Sequence, residues 1–156
     1  MTATVRRLNH AVLYVRDARR GAAFYKEAFG FEVVAEDPSG SAVFLRAAGT
    51  ENHHDLGLFS LGPQAPPPQP GRVGLYHLAW QVDTITDLAE MREVLLRLGA
   101  LVGESDHGVT KSLYAKDPDG NEFEVMWMVP REQWGNMAHE AITRRLDLAA
   151  ELAEHG

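Results

Sequence analysis

The chain has 156 residues, 45% of them apolar and 24% charged, with a formal charge of −7 and no cysteine. That length suits one domain, or two small halves sharing a core. The negative charge argues against nucleic acid and anionic membranes as main partners, and the lack of cysteine rules out disulfides and thiolate metal ligands, so any metal must be held by His, Asp, Glu or neutral oxygens. No apolar run approaches the ~18 residues of a membrane span and no signal-peptide pattern follows the first residues, so a cytoplasmic protein is expected.

In chain order, residues 5–15 read as a strand containing His10, with Leu8, His10, Val12 and Tyr14 on one parity. Asp17 is an N-cap for a helix running to Phe29, and Gly30 its C-cap. Residues 31–36 and 41–47 read as strands separated by a Pro38-Ser-Gly40 turn. The pair His53-His54 then leads into a fourth strand, so the first half is βαβββ over 1–62. Five prolines in Gly62–Gly71 mark a stiff linker, placed at 63–72.

The second half, 73–130, repeats the first. Residues 75–82 match 8–15 in length and apolar pattern, with His77 in the place of His10. A helix over 86–98 ends at Gly99 as the first ends at Gly30. The offset is 67 residues at the histidines and 69 at the glycines, so the second copy has gained two residues. After a strand at 100–104 comes the most informative stretch, 107–124. Asp117-Pro-Asp-Gly-Asn121 is dense turn chemistry. Alternation after it puts Glu122, Glu124 and Met126 on one strand face and Phe123, Val125 and Trp127 on the other. Residues 131–156 read as a charged helical extension with an Ile142, Leu146, Ala149, Leu152 stripe and no assigned chemistry. The fold expected is α+β: two βαβββ modules forming a half-open mixed-sheet barrel, plus a C-terminal helix. Tyr76 and Trp80 alternate away from His77 and are expected in the core; Phe44, Met126 and Trp127 add further aromatic or soft surface.

Two histidines at repeat-equivalent positions, with a carboxylate in the last strand, make the donor set of a two-His, one-carboxylate metal site with open positions. The candidate ligands are His10, His77 and Glu124. A single His in a strand is more often structural; the repeat is what raises these above that reading.

On these residues, 5–129 resembles the vicinal oxygen chelate superfamily, which includes glyoxalase I, fosfomycin and bleomycin resistance proteins, epimerases and type I extradiol dioxygenases. The resemblance implies paired βαβββ modules around a metal that chelates two adjacent substrate oxygens, with His10, His77 and Glu124 as ligands. The fourth ligand of the glyoxalase branch would come from Asp55-Leu-Gly-Leu-Phe59, which has no His or Glu, and Asp55 lies too early. Within the superfamily the chain is most similar to the extradiol dioxygenases. It carries their signature as His107, Leu113-Tyr114, Asp117-Pro118, Gly120 and Glu124, departing from it at Ser105. The pair His53-His54 matches their acid–base pair, with His54 as the acid–base residue.

The resemblance implies a ring-cleaving dioxygenase acting on a catechol-like aromatic diol with O2. Fe(II) is the implied metal; Mn(II), Zn(II) and Ni(II) suit the same donors. His54 would move a proton, and His107 and Tyr114 would bond the oxygens of the substrate or of dioxygen. The competing readings are a glyoxalase-type lyase or isomerase, an antibiotic-resistance protein of the superfamily, and a drug-sequestering binding module. Neither nucleic acid nor membrane is an expected partner, and a homo-oligomer is compatible but not required, because one chain carries both modules.

Overall fold

A computed structural model describes residues 3–156. The chain forms two compact units, 1–67 and 68–156. The first contains β1 (Ala11–Val15), α1 (Ala18–Phe29), β2 (Glu32–Glu36), β3 (Ala42–Arg46) and β4 (Leu56–Ser60). The second contains β5 (Leu78–Val82), α2 (Ile85–Arg97), β6 (Leu101–Asp106), β7 (Thr110–Lys116) and β8 (Glu122–Met128), then two short 3-10 turns and α3 (Leu148–His155). Each is βαβββ with a four-stranded mixed sheet, ordered β1-β4-β3-β2 and β5-β8-β7-β6. In both sheets the first strand pairs parallel with the last and the remaining pairs are antiparallel.

The helices form where the capping chemistry says they should. Asp17 accepts from Arg20 N at the start of α1, and Gly30 ends it at φ 68°. Thr84 and Asp87 close a reciprocal capping box on α2. Each helix covers one face of its own sheet. Ala18, Ala22, Tyr25 and Ala28 of α1 are buried, as are Val43, Leu45, Leu56 and Leu58 of the sheet it covers. Ile85, Leu88 and Leu95 of α2 are likewise buried, with Leu113, Phe123, Val125 and Trp127. The period-2 alternation of β8 therefore assigns Phe123, Val125 and Trp127 to the helix side and leaves Glu122 and Glu124 on the other.

Three expectations are corrected. His10 and His77 lie one residue before β1 and β5, not inside a strand. Tyr76 is not core: it is 78% exposed, because it stands in the extended segment ahead of β5, where strand alternation does not apply. Residues 131–155 are not one helix. Arg144 pairs in β-bridge fashion with Asp106, exchanging both backbone bonds at 2.8 and 3.0 Å, and a residue so paired cannot join an α-helical ladder. Only the eight residues after the Asp147 cap are α-helical. Among the described residues no helix is long and apolar enough to cross a membrane.

Candidate metal site

The chemistry-bearing side chains gather on the helix-free face of each sheet. In the second unit, the parallel pairing of β5 with β8 sets Ala79 beside Glu124, and His77 immediately precedes β5. His77 Nε2 lies 3.1 Å from Glu124 Oε2, and His77 Nδ1 lies 3.8 Å from Glu122 Oε1. His77 Nδ1 is buried without a hydrogen-bond partner. The antiparallel pairing of β7 with β8 sets Tyr114 directly across from Glu124. The Tyr114 and His77 rings are 5.7 Å apart. The Tyr76 ring packs tilted against His77, the centroids 4.8 Å apart.

His107 follows β6 and reaches the same face. Its Nε2 is 2.7 Å from the Tyr114 hydroxyl, and its Nδ1 is 2.8 Å from the carbonyl oxygen of Ile142. Burial, then the charge of Glu124, pushes the Tyr114 phenol above its ordinary value, so it stays protonated. The hairpin that presents Tyr114 and Glu124 is closed by the turn the sequence shows. Asp117 Oδ1 accepts from the backbone N–H groups of Asp119 and Asn121 at 2.9 Å, and Gly120 takes φ 91°.

In the first unit His10 and His54 come together, their rings 4.4 Å apart, with His53 Nδ1 3.1 Å from His54 Nδ1. Phe44 packs edge-on against His54 at 5.0 Å. Burial, then the neighbouring His10 and His53, lowers the His54 pKa and favours the neutral ring. His10 Nδ1 is 2.9 Å from Asn9 Oδ1; a donating Nδ1–H there leaves the lone pair on Nε2.

One residue that sequence reasoning missed organises this cluster. Asn52 is buried and takes bonds from Arg7 (2.7 Å) and Asn9 (3.1 Å) on Oδ1, while its Nδ2 donates to Asn9 O (2.9 Å) and Asp55 Oδ1 (2.7 Å). It ties the segment carrying His10 to the loop carrying His54. Asp55 is fully employed as well, accepting from Ala47 N at 2.8 Å and from Thr50 Oγ1. It is a loop organiser and not a stand-in ligand. The first-unit counterpart of Glu124, by register, is Gly57, and that of Tyr114 is Phe44. A Cβ on Gly57 would meet the Phe44 ring at 3.4 Å, so this sheet offers an aromatic surface where the second unit offers a carboxylate and a phenol.

Among the described residues no three His, Asp or Glu side chains form a group that could by itself hold a metal ion. The structure does bring together His77 with Glu124, His107 with Tyr114, and His10 with His54. The donor chemistry of the first pair fits a divalent cation. Two ligand atoms at about 2.1 Å on adjacent corners of one ion stand about 3 Å apart, which matches the 3.1 Å between His77 Nε2 and Glu124 Oε2.

Comparison with known proteins agrees with this architecture. Residues 7–125 match the family model described as Glyoxalase/Bleomycin resistance protein/Dioxygenase superfamily. The chain belongs to that superfamily. It is 35% identical over 148 residues to biphenyl-2,3-diol 1,2-dioxygenase 3 of Rhodococcus globerulus, a match covering 92% of this chain and 75% of that protein. It is 30% identical over 128 residues to catechol-2,3-dioxygenase of Bacillus subtilis, covering 81% of this chain and 43% of that one. It is 29% identical over 137 residues to a manganese-dependent 2,3-dihydroxybiphenyl 1,2-dioxygenase of Geobacillus genomosp. 3, covering 84% and 39%. The chain thus spans less than half the length of the last two relatives. Among solved structures, a glyoxylase/bleomycin resistance protein/dioxygenase domain from Frankia sp. EAN1pec shares the fold, with TM-score 0.68 at 21% identity over 81% of this chain and all of that one.

Proposed function

We propose that the protein is a divalent-metal-dependent, ring-cleaving dioxygenase of the extradiol type, acting on a catechol-like aromatic diol. The observation that carries this reading is the position of Tyr114, across the β7–β8 ladder from Glu124 and bonded to His107. A lyase or isomerase that needs only a metal and a base has no call for that phenol–imidazole pair beside the carboxylate. The relatives named above as diol and catechol dioxygenases support the same choice.

His77 and Glu124 would hold the metal, with His10 as the third ligand. For His10 the support is the repeat: it immediately precedes β1 as His77 precedes β5. Fe(II) is the metal we propose, and a relative named as manganese-dependent makes Mn(II) the natural second choice. When bound, the metal would supply Lewis acidity that lowers the pKa of the diol hydroxyls and a place for both substrates to meet. Gly57 in place of a fourth protein ligand fits a site that keeps positions open for the diol and O2. Both oxygen atoms of O2 enter the ring-opened product, so the overall reaction needs no external reductant.

His54 would take a proton from the diol and return it to the product. It stands between the rings of His10 and Phe44, with His53 Nδ1 3.1 Å from its own Nδ1, so an imidazole near neutral in charge faces an aromatic side chain. Tyr114, held by its bond to His107, would orient the diol oxygens. The test is His54→Phe, an aromatic of similar size that cannot carry a proton. Turnover of catechols should fall by about 10²–10⁴-fold, in keeping with loss of general acid–base catalysis, while metal content stays at the wild-type level. Retained turnover would remove His54 from the mechanism.

A further inference from the structure

The sequence assigns no chemistry to the segment after β8, yet that segment touches the site through its backbone. Ile142 O lies 2.8 Å from His107 Nδ1, with Thr143 Oγ1 at 3.3 Å. A carbonyl oxygen can only accept, so Nδ1 must carry the hydrogen. In a neutral imidazole the other nitrogen then holds the lone pair. His107 Nε2 therefore accepts, and the partner 2.7 Å away, the Tyr114 hydroxyl, donates to it.

We propose that the Ile142–Arg144 segment is a positioning element that locks His107 in its Nδ1–H tautomer and so turns the Tyr114 hydroxyl hydrogen toward His107. With that hydrogen committed, Tyr114 presents its oxygen lone pairs to the open face of the sheet. A ligand group that meets it there does so as a hydrogen-bond donor. On the diol reading, that group is a substrate hydroxyl still bearing its proton; this last step alone rests on the proposed function. It gives a direction to the expectation that Tyr114 bonds an oxygen of the substrate or of dioxygen.

The segment is held firmly enough for this. Arg144 and Asp106 exchange two backbone bonds, and Arg144 Nε adds a 2.7 Å bond to Asp106 Oδ2. Asp106 is buried and also bonded to Lys111 Nζ and Gly108 N, at 2.8 and 2.7 Å. Lys111 reaches on to Glu151 of α3 at 2.9 Å. Gly108 leaves room for the crossing: a Cβ there would come within 2.8 Å of Ile142 Cδ1, and its φ of 77° suits glycine.

The experiment is nitrogen NMR of histidine-labelled, metal-free protein without substrate, at mildly alkaline pH. Wild type should show His107 with a pyrrole-type Nδ1 and a pyridine-type Nε2. Tyr114→Phe should leave that pattern in place, because the carbonyl and not the phenol sets it. Arg144→Pro, which removes the Arg144 N–H bond to Asp106 O and the guanidinium bond to Asp106 Oδ2, should mix the two tautomers. A Nε2–H tautomer or an imidazolium in wild type, a switch in Tyr114→Phe, or an unchanged pattern in Arg144→Pro would each overturn the proposal. Because neither metal nor diol is present, these outcomes are independent of whether the protein cleaves a ring.

Discussion

At the scale of single residues, the site divides into groups that would touch a metal or ligand and groups that fix their orientation. The sequence marks His77 through the internal repeat and Glu124 through strand parity, and the structure brings the two side chains together. Tyr114 and His107 were legible only through the resemblance; their mutual bond was not, since seven residues separate them and a strand geometry must be known to join them. Asn52, Asp55 and the Ile142 carbonyl gave no sequence signal. A buried Asn in a polar loop looks like any loop residue, and a backbone acceptor has no side-chain identity at all. Asn9 offers a test at this scale. Its Oδ1 holds His10 Nδ1, the place where metal-binding histidines take their orienting partner. Asn9→Ala should weaken Mn(II) affinity by about 10–100-fold, as loss of such partners does, measured by calorimetry on the apo-protein. Unchanged affinity would detach His10 from the metal.

Elements carry the next level. The first helix is readable at both ends because caps are local: Asp17 and Gly30 act within a turn of where they stand. The Thr84–Asp87 box that opens the second emerges only in the structure. The trailing segment departs from its helical reading for the opposite reason. Its apolar spacing suits a helix, but Arg144 has a better offer from Asp106, which is distant in sequence. Two predictions belong here. Asp55→Ala strips the acceptor from Ala47 N, Thr50 and Asn52 at once and should cost about 3 kcal/mol, given the penalty for buried donors left unpaired; urea unfolding would measure it, and a change below about 0.5 kcal/mol would contradict its role as loop organiser. The second concerns acid. Burial raises the Asp106 pKa, but the bonds from Lys111, Arg144 and Gly108 outweigh it and hold the carboxyl below its ordinary 3.8. A group with a lowered folded-state pKa stabilises fully above the unfolded value and loses that contribution as pH falls through the folded one. The Asp106 clasp should therefore hold at neutral pH and fail only below about pH 3.8, and Asp106→Asn should flatten that part of an acid-denaturation curve while lowering stability at neutral pH. An identical acid limb in the variant would show that Asp106 is not the group that titrates there.

For the whole molecule, the repeat explains why so much of the fold could be read in advance. Two βαβββ units of matching topology place His10 and His77 identically, one residue ahead of a strand that pairs parallel with the unit's last strand. Their differences are as telling as their likeness. Where the second unit carries Glu124 and Tyr114, the first carries Gly57 and Phe44. One copy has kept the ionic and phenolic groups, and the other supplies apolar surface together with the His53–His54 pair. The difference between the two open faces is one of chemistry, ionic and phenolic in one unit and aromatic in the other. It rests on register, which a one-residue slip would reverse.

The central claim is that these groups serve a metal-dependent ring cleavage. Its most direct test is metal analysis of protein purified without oxygen, paired with O2 consumption on adding a panel of catechols. The account predicts bound iron or manganese and O2 uptake that starts only when a diol is added, at one O2 per ring opened. Bound zinc or nickel with no uptake across the panel would contradict it and move the protein toward the lyase and resistance branches of its superfamily.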